Sequence, residues 1–157
     1  MSSTENGVEH LVHYRHVLVG IDFSSASRSV AERAADLARR YGARLTLLHV
    51  IEHFPQDITE ASIPPEDLDP TKFFLAEGRR RISELAIEIG FEHAEQLVLL
   101  SAYSARYEIL RIAQQSQVDL IAIGPRDPSM LHQLLGSTAS GVFNHAKCDV
   151  IVVQPAS

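Results

Sequence analysis

Cysteine, tryptophan and long apolar runs are scarce or absent in this sequence. The chain has one cysteine, Cys148, and no tryptophan among its 157 residues, so it has no internal disulfide, which suits a reducing compartment. The longest apolar run, at 45–51, is far shorter than the roughly 20 residues of a membrane-spanning helix. Residues 1–14 are polar and lack the apolar core of a secretion signal. We expect a cytoplasmic protein without membrane insertion.

Positive charge is also in short supply. Lysines and arginines number 14 against 20 aspartates and glutamates, which gives a net charge of −6 and a pI of about 5.7. Nonspecific binding to the phosphate backbone of a nucleic acid needs clustered positive charge, so we expect no nucleic-acid partner. The length suits one domain, which is predicted at 15–155 after a flexible N-terminal segment at 1–14.

Five short apolar runs alternate with amphipathic stretches. Most runs are continuous in valine, isoleucine and leucine, as strands of a parallel sheet covered on both faces require. Strands are predicted at 16–21, 45–51, 96–100, 120–124 and 149–153, and helices at 25–41, 70–89, 105–116 and from about 136 onward. The last helix is expected to bury Ala139, Val142, Phe143 and Ala146. The predicted fold is α/β, with one doubly wound, five-stranded parallel sheet and helices on both faces. The proline-rich segment 52–69 is predicted to be a mobile surface loop.

A ligand of such a sheet binds beyond the carboxyl ends of the strands, where the strand order reverses. If the first and fourth strands flank that point, Asp22 and Gly124 face each other there. The Asp22 carboxylate can accept hydrogen bonds from a base amine or a ribose hydroxyl, or it can cap the first helix. A glycine at 124 permits close approach of a ligand, and Ser137 and Thr138 open a helix whose N–H groups favour phosphate, although the same pattern suits an ordinary turn.

Several segments resemble the universal stress protein family, in order, from residue 16 to residue 153. They are HVLVGIDFS at the first strand, LTLLHV at the second, VDLIAIG at the fourth and LLGSTASGVFNHAKCDVIVV at the end. The resemblance implies a Rossmann-like fold of the adenine nucleotide alpha hydrolase-like type and pairing as dimers through the last strand. The family has nucleotide-binding and nucleotide-free branches. In the binding branch, base and ribose are held at positions that correspond to Asp22, Val50, Ile123 and Gly124.

The phosphate loop of the binding branch, G-x2-G-x9-G-[ST], is only partly matched. Gly124 fits the first glycine and Gly136–Ser137 the last pair, with Thr138 following. Asp127 replaces the second glycine, and only eight residues separate it from Gly136.

These departures weaken the expected phosphate site. The Asp127 carboxylate repels a polyphosphate, and Pro125 and Pro128 lack backbone N–H donors. Arg126, or a divalent Mg or Mn ion that bridges Asp127 to phosphate, can compensate. The expectation is a weakened site for ATP, or for an adenine nucleotide with fewer phosphates such as AMP.

The leading hypothesis is a stress-response binding module that presents a surface to an unknown protein partner and is not an enzyme. Two alternatives stay open: a slow metal-dependent nucleotide hydrolase that uses Asp127, and a nucleotide-free dimeric adaptor. No cysteine–histidine or serine–histidine catalytic arrangement and no metal site is indicated by the spacing of these residues. His49 is expected to be a core histidine with its hydrogen bonds satisfied, and 79–81, a run of three arginines, to be a solvated helix face.

The last strand is expected to lie at an edge of the sheet, where unpaired backbone groups are usually covered. Antiparallel pairing with its copy in a second subunit would extend the sheet across a homodimer. This pairing would bury Val150, Ile151, Val152 and Val153.

Overall fold

The computed structural model describes residues 13–52, 69–125 and 137–155. Within them, strands and helices alternate: β1 (His16–Gly20), α1 (Ser25–Tyr41), β2 (Arg44–Glu52), α2 (Pro70–Glu88), β3 (Glu95–Ser101), α3 (Ala105–Gln115), β4 (Leu120–Ile123), α4 (Ser137–His145) and β5 (Asp149–Val152). The predicted loop at 52–69 lies, apart from its two end residues, outside the described residues. No helix in the described ranges is long and apolar enough to cross a membrane.

The five strands form one parallel sheet in the order β3-β2-β1-β4-β5. The chain builds outward from β1 through β2 to β3, and then returns to the other side of β1 to add β4 and β5. The order therefore reverses between β1 and β4. This arrangement confirms the predicted doubly wound parallel sheet.

Each face of the sheet packs against a pair of helices. Val17 and Val19 of β1 face the cluster formed with α1 and α2, whereas Leu18 faces the cluster formed with α3 and α4. All three side chains are fully buried, because β1 is the central strand and both of its faces are covered. A strand in that position needs an uninterrupted apolar run, which is what the sequence has.

Side-chain caps fix the starts of three helices. Ser24, Asp69 and Ser104 accept hydrogen bonds from the backbone N–H groups of Ser27, Thr71 and Tyr107, respectively. Each cap satisfies one of the N–H groups that a helix start leaves free. The three helix starts agree with the predicted ones.

The prediction that α4 buries Phe143 is wrong. Ala139 and Val142 of α4 are buried, but the Phe143 side chain is 58% exposed. Successive residues of a helix are turned by about 100°, so the position after Val142 points away from the core. Ala146, which follows the end of α4, is half-buried against the same core.

The first described residues lie across the amino-terminal edge of the sheet. The Tyr14 hydroxyl donates to Oδ2 of Asp149 at 2.8 Å, and Asp119 accepts from the backbone N–H groups of Arg15 and His16. His16 is buried, with Nδ1 3.1 Å from the carbonyl oxygen of Ser116. These contacts hold residues 14–16 against the starts of β4 and β5.

Candidate functional site

The candidate site is the crevice at the carboxyl ends of β1 and β4, where the strand order reverses. β1 and β4 are hydrogen-bonded neighbours with Val19 opposite Ala122. Asp22 follows β1 by two residues and Gly124 follows β4 directly. The structure therefore places these two residues at the same edge of adjacent strands, as the sequence predicts. This position is the usual ligand site of an open α/β sheet.

The Asp22 carboxylate supports the helix cap but does not form it. Its Oδ1 accepts hydrogen bonds from the backbone N–H of Ser24 at 2.9 Å and from the Ser24 hydroxyl at 2.5 Å. The Ser24 hydroxyl in turn accepts from the N–H of Ser27, which makes Ser24 the N-cap of α1. Asp22 is exposed, and its Oδ2 accepts no hydrogen bond from the described residues. One oxygen is thus fixed by the fold while the other is available as an acceptor.

Gly124 is required by packing, whatever binds beside it. A Cβ at this position would lie 2.5 Å from Cγ2 of Val30 and 3.4 Å from the carbonyl oxygen of Val153. Any side chain here would therefore push α1 away from β4. The sequence predicts that the glycine at 124 permits close approach of a ligand. The packing of α1 on β4 is a second, structural reason for glycine at this position.

The other predicted contacts with base and ribose lie on the α3/α4 face of the sheet. Val50 is half-buried and packs against the core cluster of that face, and Ile123 belongs to the cluster with 4% of its surface exposed. The carbonyl oxygen of Ile123 accepts from the N–H of Val153 at 2.8 Å. Ile123 is therefore part of the core, and of these two residues it is Val50 that keeps exposed apolar surface.

Of the predicted phosphate contacts, two lie within the described residues. Ser137 is exposed and Thr138 is half-buried, and both stand in the first turn of α4. Arg126, Asp127 and Gly136 lie outside the described residues.

A second group of side chains holds the turn after β1 from the α1/α2 face. The imidazole Nδ1 of His49 donates to the carbonyl oxygen of Ile21 at 2.7 Å. The Phe23 ring lies against this imidazole, with 4.5 Å between ring centroids. The guanidinium of Arg81 covers the Phe23 ring at 4.2 Å from its centroid. His49, Phe23 and Arg81 thus lie one on another, and this stack is on the α1/α2 side of the turn that carries Asp22.

Phe23 occupies a backbone conformation that bulky residues rarely adopt. Its φ is +62°, in the left-handed region that favours glycine. Such strain persists only where the surrounding contacts maintain it, and it is concentrated at functional sites. The contacts of Phe23 with His49 and Arg81 therefore help to hold the turn that carries Asp22.

Burial is the main reason why the pKa of His49 lies below its usual range. The positive charge of Arg81 lowers this pKa further, whereas the hydrogen bond to Ile21 and the charge of Asp22 act in the opposite direction. The neutral imidazole is thus favoured in the folded protein. His49 is half-buried, and its Nδ1 is hydrogen-bonded, so the expectation of a core histidine with satisfied bonds is met only in part.

Sequence reasoning missed the stack because no local pattern indicates it. The three arginines at 79–81 were expected to be solvated. Arg80 fits this expectation, since it pairs with Glu77 and Glu84 on the exposed face of α2. Arg81 is also exposed, but it lies over Phe23. The only hint in the sequence is an aromatic residue directly after Asp22.

A cavity of about 170 Å³ lies away from the crevice, between the ends of α3 and α4. It is lined by Leu110, Val118, Ile121 and Cys148, among others. Val118 and Cys148 precede β4 and β5, so this cavity opens near the opposite edge of the sheet. Burial is the main cause that raises the pKa of the Cys148 thiol, which makes the unreactive thiol form dominant.

The chemistry that the described part of the crevice offers is recognition by hydrogen bonds. Asp22 supplies an acceptor oxygen, and Ser137 and Thr138 supply hydroxyls and the N–H groups of a helix start. In the described ranges, no group of three or more histidine, cysteine, aspartate or glutamate side chains could hold a metal ion.

Known proteins with similar sequences and structures share this architecture. A model of the Universal stress protein family matches residues 13–154. Universal stress protein A homolog 1 of Coxiella burnetii (strain RSA 493 / Nine Mile phase I) is 31% identical over 142 residues, 90% of this chain and 97% of that protein.

Two solved structures extend the likeness to the fold. Universal stress protein UspA from Lactobacillus plantarum is 26% identical with a TM-score of 0.70, and the match covers 91% of this chain and 99% of that one. A universal stress protein crystallised in complex with cAMP is 26% identical with a TM-score of 0.62, over 92% of this chain and 100% of that one. The family match, the 31% identical relative and the strand order together show that this chain belongs to the universal stress protein family, with its adenine nucleotide alpha hydrolase-like fold.

Proposed function

We propose that this chain is a binding module that takes an adenine nucleotide in the crevice between β1 and β4 and does not turn it over. The observation that carries the proposal is the adjacency of β1 and β4, which brings Asp22 and Gly124 to one edge. A relative of the same fold was solved in complex with cAMP, and it matches 92% of this chain. An adenine nucleotide therefore fits both the family and the position of the crevice.

The base and ribose end of the crevice is the better defined part. The free Oδ2 of Asp22 is suited to accept from a ribose hydroxyl or a base amine. Val50 supplies an apolar surface on the α3/α4 face, next to the buried Ile123. A planar base between apolar side chains, fixed by a few polar groups, is the usual composition of a small-molecule site.

The phosphate end favours a ligand with fewer phosphates than ATP. The described part supplies only the first turn of α4, with Ser137 and Thr138. In the sequence of the preceding loop, Pro125 and Pro128 remove donors and Asp127 adds a negative charge. A triphosphate would need an Mg or Mn ion to offset that charge, whereas a monophosphate would not.

We prefer binding without turnover because the described carboxylate of the crevice, Asp22, is tied to the cap of α1 at the expected base and ribose end. Hydrolysis would instead depend on Asp127, which lies outside the described residues. A carboxylate whose Oδ1 already accepts two hydrogen bonds is oriented as a ligand acceptor. The test is to incubate the protein with ATP and Mn²⁺ and to measure ADP release. We expect no release above the spontaneous rate. Release that disappears in Asp127→Ala would instead establish the hydrolase.

The Asp22→Asn variant tests where the nucleotide binds. Asparagine keeps an oxygen that can accept from Ser24, so the cap of α1 should survive while the negative charge is lost. We expect weaker nucleotide binding with an unchanged melting temperature of the free protein. Asp36→Asn, on the exposed side of α1, is the matched control. Equal affinities of the two variants and the wild type would place the nucleotide elsewhere.

We also propose a homodimer that pairs through β5 and exposes its remaining surface to a protein partner. β5 lies at one edge of the sheet and is paired only with β4. Val150, Ile151 and Val152 are half-buried and would gain burial in a dimer, whereas Val153 is already buried within the chain. A cytoplasmic location is compatible with one half-buried cysteine that has no disulfide partner.

A further inference from the structure

Arg106 of α3 lies across Gly141 in the middle of α4. A Cβ on Gly141 would stand 1.8 Å from Cδ of Arg106 and 3.0 Å from Nε. The arginine side chain thus fills the space that any other residue at 141 would need. A glycine inside a helix is less stable than alanine by roughly 1 kcal/mol, so this contact is made at a cost in helix stability.

The position of α3 places Arg106 beyond the end of β1. Ile109, one turn later on the same face of α3, has its Cδ1 2.9 Å from where a Cβ on Gly20 would stand. Gly20 is the last residue of β1. Because α3 starts after the carboxyl end of β3 and runs back along the sheet, Arg106 lies one turn nearer the carboxyl edge than Ile109. That is the side on which Asp22 follows β1.

The contact with α4 places Arg106 about one helical turn from the hydroxyl groups at the start of that helix. Residues three and four apart share one face of a helix, so Gly141 shares a face with Thr138 and Ser137. One turn of helix rises about 5.4 Å, which sets the spacing between the two hydroxyl positions and the Arg106 contact. Together these contacts place Arg106 on the α3/α4 face, toward the carboxyl edge of the sheet and about one helical turn from the level of Ser137 and Thr138.

The charge of Arg106 is not neutralised by the described part of the protein. In the described ranges, the ion pairs with carboxylates are made by Arg28, Arg40, Arg44, Arg80 and Arg111. Arg106 is exposed and makes none of them. A guanidinium stays charged at every physiological pH, and its planar set of donors matches two oxygens of a phosphate. Its stem is already held on α4, so less side-chain entropy is lost on binding.

We propose that Arg106 recognises the phosphate of the bound nucleotide, and that the crevice selects a nucleoside monophosphate, open or cyclic. This inference rests on the proposed function, since it assigns a residue to the same crevice. A single guanidinium held from the side offsets one negative charge of one compact phosphate group. It supplies from α3 the positive charge that the loop, with Asp127 and two prolines, does not supply from its backbone.

The test compares AMP with adenosine, which has the same base and ribose but no phosphate. Affinities of both are measured by calorimetry for the wild type, Arg106→Gln and Gly141→Ala. We expect the wild type to bind AMP more tightly than adenosine. Arg106→Gln should weaken AMP binding at least roughly tenfold, because the charge-assisted contact with the phosphate is lost, and leave adenosine binding unchanged.

Gly141→Ala provides a second variant that keeps the arginine and the fold. Its Cβ displaces the Arg106 side chain, while alanine raises the intrinsic stability of α4. The variant should melt no lower than the wild type and yet lose the preference for AMP. Equal loss of AMP and adenosine binding in both variants would show a structural role only and overturn the assignment.

Two other outcomes separate the two proposals. Wild-type binding of both ligands, with AMP affinity unchanged in both variants, would reject Arg106 and leave the crevice intact. No binding of either ligand by the wild type would reject the proposed function and, with it, this inference.

Discussion

His49 Nδ1 lies 2.7 Å from the carbonyl oxygen of Ile21, so a side chain of β2 holds the backbone immediately before Asp22. Phe23, directly after Asp22, packs against the same imidazole, with the two rings tilted by 51°. One histidine thus contacts the residues on both sides of Asp22, whose carboxylate we assign to the ligand. A change in the charge of His49 should therefore alter the stability of the turn that carries Asp22.

The first prediction is that acidification destabilises the protein through His49. Its pKa is lowered in the folded state, mainly by burial, so below about pH 6.5 the unfolded chain binds the proton more readily. The stability that neutral His49 contributes to the folded protein is therefore present above that pH, and it is lost as the pH falls through the pKa of the folded state. Denaturant unfolding between pH 7.5 and 5 should show it, and His49→Gln, which keeps a donor for Ile21, should flatten this part of the curve. An identical slope in the variant would contradict the assignment.

The second prediction concerns Tyr14 at alkaline pH. The hydrogen bond to Asp149 is the main cause that raises the pKa of Tyr14 to about 12. Because the ordinary value is about 10, the stabilisation is complete below about pH 10 and is lost as the pH rises through the folded value. Tyr14→Phe should remove this alkaline loss and lower the free energy of unfolding at pH 7 by about 1 kcal/mol or less.

Tyr103→Phe is the matched control for that experiment. Tyr103 is 66% exposed, and its hydroxyl makes no hydrogen bond within the described part of the chain. The control should leave the free energy of unfolding at pH 7 unchanged. If Tyr14→Phe behaves in the same way, the bond to Asp149 contributes nothing to stability.

The third prediction tests the packing of α1 on β4. Gly124→Ala places a Cβ 2.5 Å from Cγ2 of Val30, so we expect a loss of roughly 1–3 kcal/mol in the free energy of unfolding. The second change, Val30→Ala, removes the clashing atoms. The double variant should therefore lose less than the sum of the two single losses, as a double-mutant cycle measured in urea will show. If the two single losses in the free energy of unfolding simply add in the double variant, a Cβ at position 124 does not clash with Val30.

The fourth prediction concerns the proposed dimer. Val152→Lys places a charge on the edge strand β5 and should convert the dimer into a monomer, because a charge buried on a face of the joined sheet is strongly unfavourable. Leu100→Lys is the control, since Leu100 lies on β3 at the opposite edge and is 51% exposed. Sedimentation velocity at micromolar concentration distinguishes the two. A monomeric wild type would reject pairing through β5.

The positions of the strands and the helix starts follow from the sequence because their causes are local. The continuous run of Val17, Leu18 and Val19 reflects a central strand with both faces covered. Ser24 and Ser104 lie within one turn of the N–H groups that they cap. Patterns of this kind need no knowledge of the rest of the chain.

The details of the site do not follow from the sequence because their causes are distant contacts. The left-handed φ of Phe23 is maintained by His49 and Arg81, which belong to two other elements. The contact between Arg106 and Gly141 joins two helices that are separated along the chain by β4. Neither periodicity nor a cap signal encodes such pairs. These pairs form only when the sheet and its helices are folded together.

The most direct test of the central claim is a calorimetric titration of the wild-type protein with AMP, accompanied by a thermal melt. Binding in the crevice predicts a saturable heat with micromolar affinity. It also predicts a melting temperature that rises with AMP concentration, since a ligand that binds only the folded state stabilises it. No heat and an unchanged melting temperature at millimolar AMP would contradict the account.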